Sequence, residues 1–220
     1  MRLHNVLFDF DGTLANTLPL TVHAMKKVFK RFDSRTVTTD EVIAMFGPPE
    51  EKMISMNLTN QADVAEAVEF YFVIYEKQHD AYVEKNPEIF KLLHLLRDRN
   101  INIGLITGKA RRSYLISEKK LGFGGKFDSI ITGDDVSAAK PDPEGINRTL
   151  KKFDALPEES IYIGDANGDT LAGKAAGIHT AAVQWLEMAQ SSEFPAKPEF
   201  YWTKVEQFIA MLDNKLSDRP

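Results

Sequence analysis

The stretch that decides both fold and chemistry lies near the start of the chain and reads Leu7-Phe8-Asp9-Phe10-Asp11-Gly12-Thr13. In an extended chain, residues two apart project to the same side, so Asp9 and Asp11 can face one point while the phenylalanines face a core. Two ionised carboxylates at such a short distance repel each other unless a cation lies between them. Carboxylate oxygens are ligands that Mg²⁺ prefers. We expect the turn Gly12-Thr13 to let backbone N–H groups approach a phosphate.

Short apolar runs recur along the rest of the chain, each followed by a turn and a helical pattern. Runs of this length, separated by helices, predict buried parallel strands of an α/β sheet. The predicted strands are 6–8, 101–106, 127–131, 161–163 and 180–183. The helices predicted around them are 87–99, 109–121, 144–153 and 167–176.

One segment breaks this alternation, because residues 18–85 show a helical pattern and no convincing strand. Thr38 and Glu41 have the spacing of a capping box, and a long helix is predicted from residue 61 to about residue 82. We therefore predict a helical cap domain at 17–85, inserted into an α/β core domain formed by 1–16 and 86–220.

Polar motifs follow three further predicted strands, where ligands bind in open parallel sheets. Each has an ordinary structural explanation as well: a helix N-cap, a solvated lysine in a proline-rich turn, and an Asx turn before an acidic helix start. Their coincidence at successive strand ends favours a site. The motifs are Thr107-Gly108-Lys109, Lys140-Pro141-Asp142-Pro143 and Gly164-Asp165-Ala166-Asn167-Gly168-Asp169.

Taken in order, the four motifs resemble those of the haloacid dehalogenase superfamily of phosphotransferases. The resemblance covers nearly the whole chain and is to the phosphoglycolate-phosphatase-like and pyrophosphatase-like branch, which has a Rossmann-like parallel sheet and a helical cap of the C1 type. It implies that Asp9 is the nucleophile and that Asp11 is the general acid/base.

The resemblance also implies how the other motif residues act. Thr107, Gly108 and Lys140 would bind the transferring phosphoryl group. A Mg²⁺ cofactor would be held by Asp9, the backbone carbonyl of Asp11, Asp165 and, directly or through water, Asp169. Ala166 departs from the branch, which often has serine or threonine there, but this does not change a ligand.

The function implied is Mg²⁺-dependent hydrolysis of a small phosphorylated metabolite, phosphoglycolate-like or pyrophosphate-like, through an aspartyl-phosphate intermediate. Asp11 speaks against halide-removing dehalogenases and transport ATPases, which lack an aspartate at this position. Two alternatives stay open: a sugar phosphomutase of the β-phosphoglucomutase type, disfavoured by Thr13, and a non-catalytic phosphate-binding module. Gly47 and Lys52, in and just after a loop between cap helices, are candidates for substrate specificity.

The composition limits the partners and the compartment. A net charge of -5 argues against a nucleic-acid backbone as the partner. The chain has no cysteine, no stretch of the roughly 20 apolar residues that a spanning helix needs, and no signal-peptide layout. We expect a cytoplasmic protein without membrane contact, acting as a monomer or weak homodimer on a small-molecule phosphorylated substrate.

Overall fold

The computed structural model describes residues 3–214 of the 220-residue chain. Its central feature is a parallel sheet of six strands in the order β3-β2-β1-β4-β5-β6. The strands are β1 (Asn5–Phe8), β2 (Asn102–Ile106), β3 (Ser129–Ile131), β4 (Ser160–Gly164), β5 (His179–Val183) and β6 (Phe200–Trp202). This confirms the predicted α/β class. The sequence predicts a frayed polar tail at 214–220, of which residues 215–220 lie outside the described residues.

The helices follow the predicted order closely. Those between β1 and β2 are α1 (Leu18–Phe32), α2 (Thr39–Ile43), α3 (Glu50–Asn57), α4 (Val64–Tyr82) and α5 (Pro87–Asp98). Those that follow are α6 (Arg111–Leu121), α7 (Glu144–Phe153), α8 (Asn167–Ala175) and α9 (Val205–Asn214). Strand β6 and helix α9 are additions that the sequence patterns did not predict.

Alternation along the strands divides the core into two layers. Val6 and Phe8 of β1 face a large apolar cluster that includes residues of α1, α4, α5 and α9. Leu7 faces the opposite way and packs with residues of α7 and α8, among them Ile146 and Ala172. A strand that is apolar on both faces is what a sheet covered by helices on both sides requires.

Helices α1 to α4 form the segment inserted after β1, which we call the helical insert (residues 17–85). The predicted capping box is present, since Glu41 N–H donates to Thr38 Oγ1 and the Glu41 carboxylate accepts from Thr38 N–H. That the insert is a separate cap domain stays a prediction. Within residues 3–214, no helix has both the length and the apolar character needed to cross a membrane.

The register of the sheet places the motif residues together. Phe8 of β1 pairs with Leu105 of β2 on one side and with Ile163 of β4 on the other. The residues that follow these three strands therefore emerge at one edge of the sheet. Because β1 lies where the strand order reverses direction, this edge is the position at which open α/β sheets bind ligands.

Candidate active site

A cavity of about 190 Å³ lies at this edge, between the sheet and the helical insert. Most residues predicted from the four motifs line it, and one predicted insert residue does so as well. They are Asp9, Asp11, Gly47, Thr107, Gly108, Lys140 and Asp169. Asp165 is fully buried beside them. The structure thus brings together all the predicted site residues except Lys52.

Asp9 lies at the centre of this group, held by the strand ends on either side. Its backbone N–H donates to the carbonyl of Ile163 at 2.9 Å, and its side chain is buried. The ammonium of Lys140 lies 2.9 Å from Asp9 Oδ1 and 2.6 Å from Asp169 Oδ1. Lys140 also donates to the Tyr162 hydroxyl at 3.1 Å. One lysine therefore joins the carboxylates that follow β1 and β4.

Asp9, Asp165 and Asp169 form a buried acidic cluster, with one carboxylate oxygen of each within 4.8 Å of the others. Burial raises the pKa of Asp9 from 3.8 to about 7, against the attraction of Lys140 and with added repulsion from Asp169 and Asp11. Burial also raises the pKa of Asp165 well above its usual value, and repulsion from Asp9 and Asp169 raises it further. A single ammonium does not neutralise three carboxylates.

This excess of negative charge fits a divalent cation. The donor set consists of carboxylate oxygens, which hard cations such as Mg²⁺ prefer, and the residues include no nitrogen or sulfur ligand. Three of the four residues predicted to bind the metal form the cluster. The fourth, Asp11, is predicted to bind through its backbone carbonyl, and its carboxylate has other partners.

Asp11 is held by groups that do not contact Asp9. Thr17 Oγ1 donates a hydrogen bond to Asp11 Oδ1, and Lys109 Nζ lies 2.9 Å from the same oxygen. Within residues 3–214, no side-chain donor reaches Asp11 Oδ2. The carboxyl group is therefore fixed through one oxygen while its other oxygen stays available beside the cavity.

Lys109 and Glu50 are the site residues that sequence reasoning missed. Lys109 belongs to the Thr107-Gly108-Lys109 motif, but the sequence assigns no role to it, and the helical pattern predicts that α6 begins there. The helix instead begins at Arg111, because Ala110 has extended backbone and its N–H donates to Glu50 Oε2 at 2.6 Å. Nothing in the sequence distinguishes Glu50 from an ordinary acid in the first turn of a helix.

Gly12 shapes the turn between the two aspartates, but not as predicted. The N–H groups of Gly12 and Thr13 donate to the carbonyls of Ala15 and Phe10, respectively. They therefore stabilise the turn and are not free to bind a phosphate. Gly12 has φ +76°, and a Cβ there would lie 2.1 Å from Asp165 Oδ2. The residue must be glycine because the turn packs directly against the acidic cluster.

The segment after β2 also meets the helical insert. Thr107 is buried and accepts a hydrogen bond from Lys109 N–H at 3.2 Å. A Cβ on Gly108 would lie 2.6 Å from the carbonyl oxygen of Gly47, so glycine lets the insert's loop approach this closely. The loop at Gly47 is therefore more than a helix–helix connection, since it forms one wall of the cavity.

Lys52 has a different position from the one its predicted role requires. It is exposed and does not line the cavity. On helix α3, Glu50 and Met53 face inwards, and Lys52 is two residues from the first and one from the second, so it projects away from both. We do not carry Lys52 into the proposed mechanism.

A parallel sheet with an aspartate pair after its central strand, a lysine and a buried acidic cluster is the arrangement of a known hydrolase class. Residues 6–183 match the haloacid dehalogenase-like hydrolase family, and the chain belongs to that family. It is 31% identical to a protein named pyrophosphatase PpaX from Anoxybacillus flavithermus, over 96% of this chain and 98% of the relative.

Solved structures show the same fold. A haloacid dehalogenase-like hydrolase from Bacteroides fragilis superposes with a TM-score of 0.79 at 28% identity, covering 94% of this chain and 100% of that one. A predicted phosphoglycolate phosphatase from Haemophilus somnus reaches 0.82 at 16% identity, covering 96% and 98%. At the latter identity the likeness concerns the fold alone.

Proposed function

We propose that this protein is a Mg²⁺-dependent phosphatase that hydrolyses a small phosphorylated metabolite through an aspartyl phosphate on Asp9. The observation that carries the proposal is that two aspartates of one turn have different partners. Asp9 lies against Lys140 in a cluster suited to a cation, and Asp11 is held apart by Thr17 and Lys109. A nucleophile and a separate proton carrier are what an aspartyl-phosphate route needs.

In the first step an Asp9 carboxylate oxygen attacks phosphorus. The bond between phosphorus and the leaving oxygen breaks, and Asp11 gives its proton to that oxygen. Asp11 Oδ2 suits this task because Oδ1 is already held by its two donors. A positioned acid of this type contributes roughly 10² to 10⁴ in rate.

In the second step water attacks the phosphorus of the aspartyl phosphate. Asp11, now ionised, takes a proton from that water, the bond from phosphorus to Asp9 breaks, and inorganic phosphate is released. Asp9 is again a carboxylate and Asp11 is again protonated, so the cycle closes without another reactant. One residue thus serves as acid and then as base.

The remaining residues hold the phosphoryl group and its charge. Lys140, Thr107 and the backbone at Gly108 line the cavity next to Asp9 and are assigned to the phosphoryl oxygens. Asp9, Asp165 and Asp169 would hold Mg²⁺, which supplies positive charge to those oxygens when bound. Burial alone would lower the pKa of Lys140, but Asp169 and Asp9 raise it well above its usual value, so the ammonium stays charged.

The size of the cavity supports a small substrate. At about 190 Å³ it is smaller than the roughly 300–1,000 Å³ of pockets that enclose drug-sized ligands. The name of the relative from Anoxybacillus flavithermus makes pyrophosphate the first compound to test. Phosphoglycolate is the second, because the resemblance in the motifs extends to phosphoglycolate phosphatases.

The test is an activity assay on a panel of phosphorylated metabolites, with Mg²⁺ or with EDTA, for the wild type and Asp9→Asn. We expect Mg²⁺-dependent phosphate release from pyrophosphate or phosphoglycolate that Asp9→Asn abolishes. Equal activity of the two proteins, or activity indifferent to EDTA, contradicts the proposal. Formation of glucose 6-phosphate from glucose 1-phosphate, without phosphate release, supports the phosphomutase alternative.

A further inference from the structure

Glu50 is a buried acid of the helical insert that lines the cavity and contacts residues at and just before the start of α6. It is 3% exposed, and both of its oxygens are bound. Oε1 accepts from Ser113 Oγ at 2.6 Å and lies 3.2 Å from Lys109 Nζ, while Oε2 accepts from Ala110 N–H at 2.6 Å. These three contacts thus join the insert to the first turn of α6 and the two residues before it.

Lys109 is buried between two carboxylates. Its side chain is 1% exposed, and its ammonium lies 2.9 Å from Asp11 Oδ1 and 3.2 Å from Glu50 Oε1. The ring of Tyr75, also from the insert, lies 4.6 Å away. A buried ammonium is costly unless it is paired and its hydrogens are bound, so the position of Glu50 fixes the position of Lys109.

The effect of this arrangement reaches the proton carrier. Lys109 and Thr17 both hold Asp11 through Oδ1, which fixes the direction of Oδ2. Thr17 is six residues from Asp11 in the chain. Lys109 follows a different strand, β2, and its ammonium contacts a residue of the insert, Glu50. If Glu50 moved away, Asp11 would lose one of its two restraints.

We propose that Glu50 is a positioning residue for Asp11, acting through Lys109, so that proton donation to the leaving group is complete only when the helical insert is docked on α6. The inference rests on the proposed function and adds the part of the insert that prepares the acid. Attack by Asp9 does not depend on Glu50, because Lys140, Asp165 and Asp169 all lie outside the insert, in the segments that follow β3 and β4.

A comparison of two substrates with different leaving groups distinguishes a positioning role of Glu50 from a structural one. p-Nitrophenolate departs without a proton, whereas the alkoxide of phosphoglycolate needs one. Glu50→Gln should therefore slow formation of the aspartyl phosphate from phosphoglycolate by about tenfold or more, part of the 10² to 10⁴ that a positioned acid provides, and from p-nitrophenyl phosphate by less than about twofold. The measurement is a rapid-quench single turnover with enzyme in excess.

The chain offers a matched control in Glu69. Its carboxylate binds Arg112 at 2.5 and 2.9 Å, so it too joins the insert to α6, but it is exposed and does not contact Lys109 or Asp11. Glu69→Gln should leave the ratio of the two rates unchanged. Equal slowing of both substrates by Glu50→Gln, or the same change of ratio in Glu69→Gln, overturns the positioning role.

A double-variant cycle tests the route through Lys109. In a Lys109→Gln background, Glu50→Gln should change the ratio no further, and an additive effect contradicts the route. Thermal unfolding shows whether each variant is folded. If Glu50→Gln is not, Glu50→Asp takes its place, because its shorter side chain displaces Lys109 while keeping the charge, and the same shift of ratio is expected.

Failure of this inference differs from failure of the proposed function. A wild type that forms no aspartyl phosphate from phosphoglycolate, pyrophosphate or p-nitrophenyl phosphate contradicts the proposed function itself. A wild type that forms it from p-nitrophenyl phosphate but from neither phosphoglycolate nor pyrophosphate does not use Asp11 to protonate a leaving group, and this result overturns the inference about Glu50. A wild type that forms it from p-nitrophenyl phosphate and from either of the other two, with an unchanged ratio in Glu50→Gln, overturns the inference and leaves the proposed function standing.

Discussion

Asp9 and Asp11 lie two residues apart, yet they belong to differently built halves of the site. The nucleophile half, comprising Asp9, Asp165, Asp169 and Lys140, comes from residues outside the insert: the segments after β1, β3 and β4 and the first turn of α8. The acid half, comprising Asp11, Thr17, Lys109 and Glu50, includes the helical insert. In the proposed mechanism, the core therefore supplies the groups for attack on phosphorus, and the insert contributes to protonation of the leaving group.

The two halves also differ in charge. In the nucleophile half, one ammonium lies beside three carboxylates, and the remaining negative charge favours binding of a divalent cation. In the acid half, Lys109 faces Asp11 and Glu50, and it is further satisfied by the Tyr75 ring. Burial alone would lower the pKa of Lys109, but Asp11, Tyr75 and Glu50 raise it well above its usual value, so this lysine stays charged as well.

The largest effect that separates the halves is expected for Lys140→Ala. Loss of the ammonium leaves the phosphoryl oxygens without one of their charged partners, and kcat should fall by roughly 10² to 10³, as when one donor is removed from an oxyanion site. Unlike Glu50→Gln, the variant should slow p-nitrophenyl phosphate and phosphoglycolate alike, because it acts on attack. Steady-state kinetics beside Lys151→Ala, an exposed lysine, checks this. A fall of less than tenfold would count against the assigned role.

A smaller effect concerns stability and pH in the nucleophile half. Because the pKa of Asp9 is raised to about 7 in the folded protein, its contribution to stability is fully present below 3.8 and is lost as the pH rises through 7. Without metal, the wild type should lose stability relative to Asp9→Asn over this range. Mg²⁺ binds the ionised cluster, so it should raise the melting temperature of the wild type by several degrees more near pH 8 than near pH 5.

Thermal unfolding in EDTA and in Mg²⁺ measures both expectations. A Mg²⁺ shift of equal size at the two pH values, or a larger one near pH 5, would show that the acidic cluster is not where the metal acts. Asp9→Asn serves as the control, because it removes the titrating group at the centre of the cluster while leaving Asp165 and Asp169 in place.

The difference between the halves also explains what the sequence could predict. Asp9, Lys140, Asp165 and Asp169 each follow a short apolar run, and the carboxyl ends of parallel strands must meet at one edge, so their proximity follows from local patterns. Glu50 carries no such information. Its place depends on how the insert packs against α6, which is a tertiary contact between residues 59 or more positions apart.

The same distinction applies to the smaller errors. The start of α6 was predicted at Lys109 because the helical pattern runs on, whereas the contacts to Glu50 and Asp11 hold Lys109 and Ala110 outside the helix. Strand β6 is three residues long, as is β3, but no helix separates it from β5, so the alternation of strands and helices that predicts the other strands does not include it. The charge of Lys52 and its place in the chain make it a candidate for substrate specificity. Which face of α3 points into the cavity depends on how the insert packs against the core, and the sequence does not show this.

The most direct test of the account is to trap the covalent intermediate. Wild-type protein is mixed with ³²P-labelled substrate and Mg²⁺, quenched in acid within milliseconds and digested, and the labelled peptide is sequenced by mass spectrometry. We predict that phosphate is attached to Asp9 during turnover and that Asp9→Asn carries no label. Turnover without a labelled protein, or a label on any other residue, would contradict the assignment of Asp9 as the nucleophile.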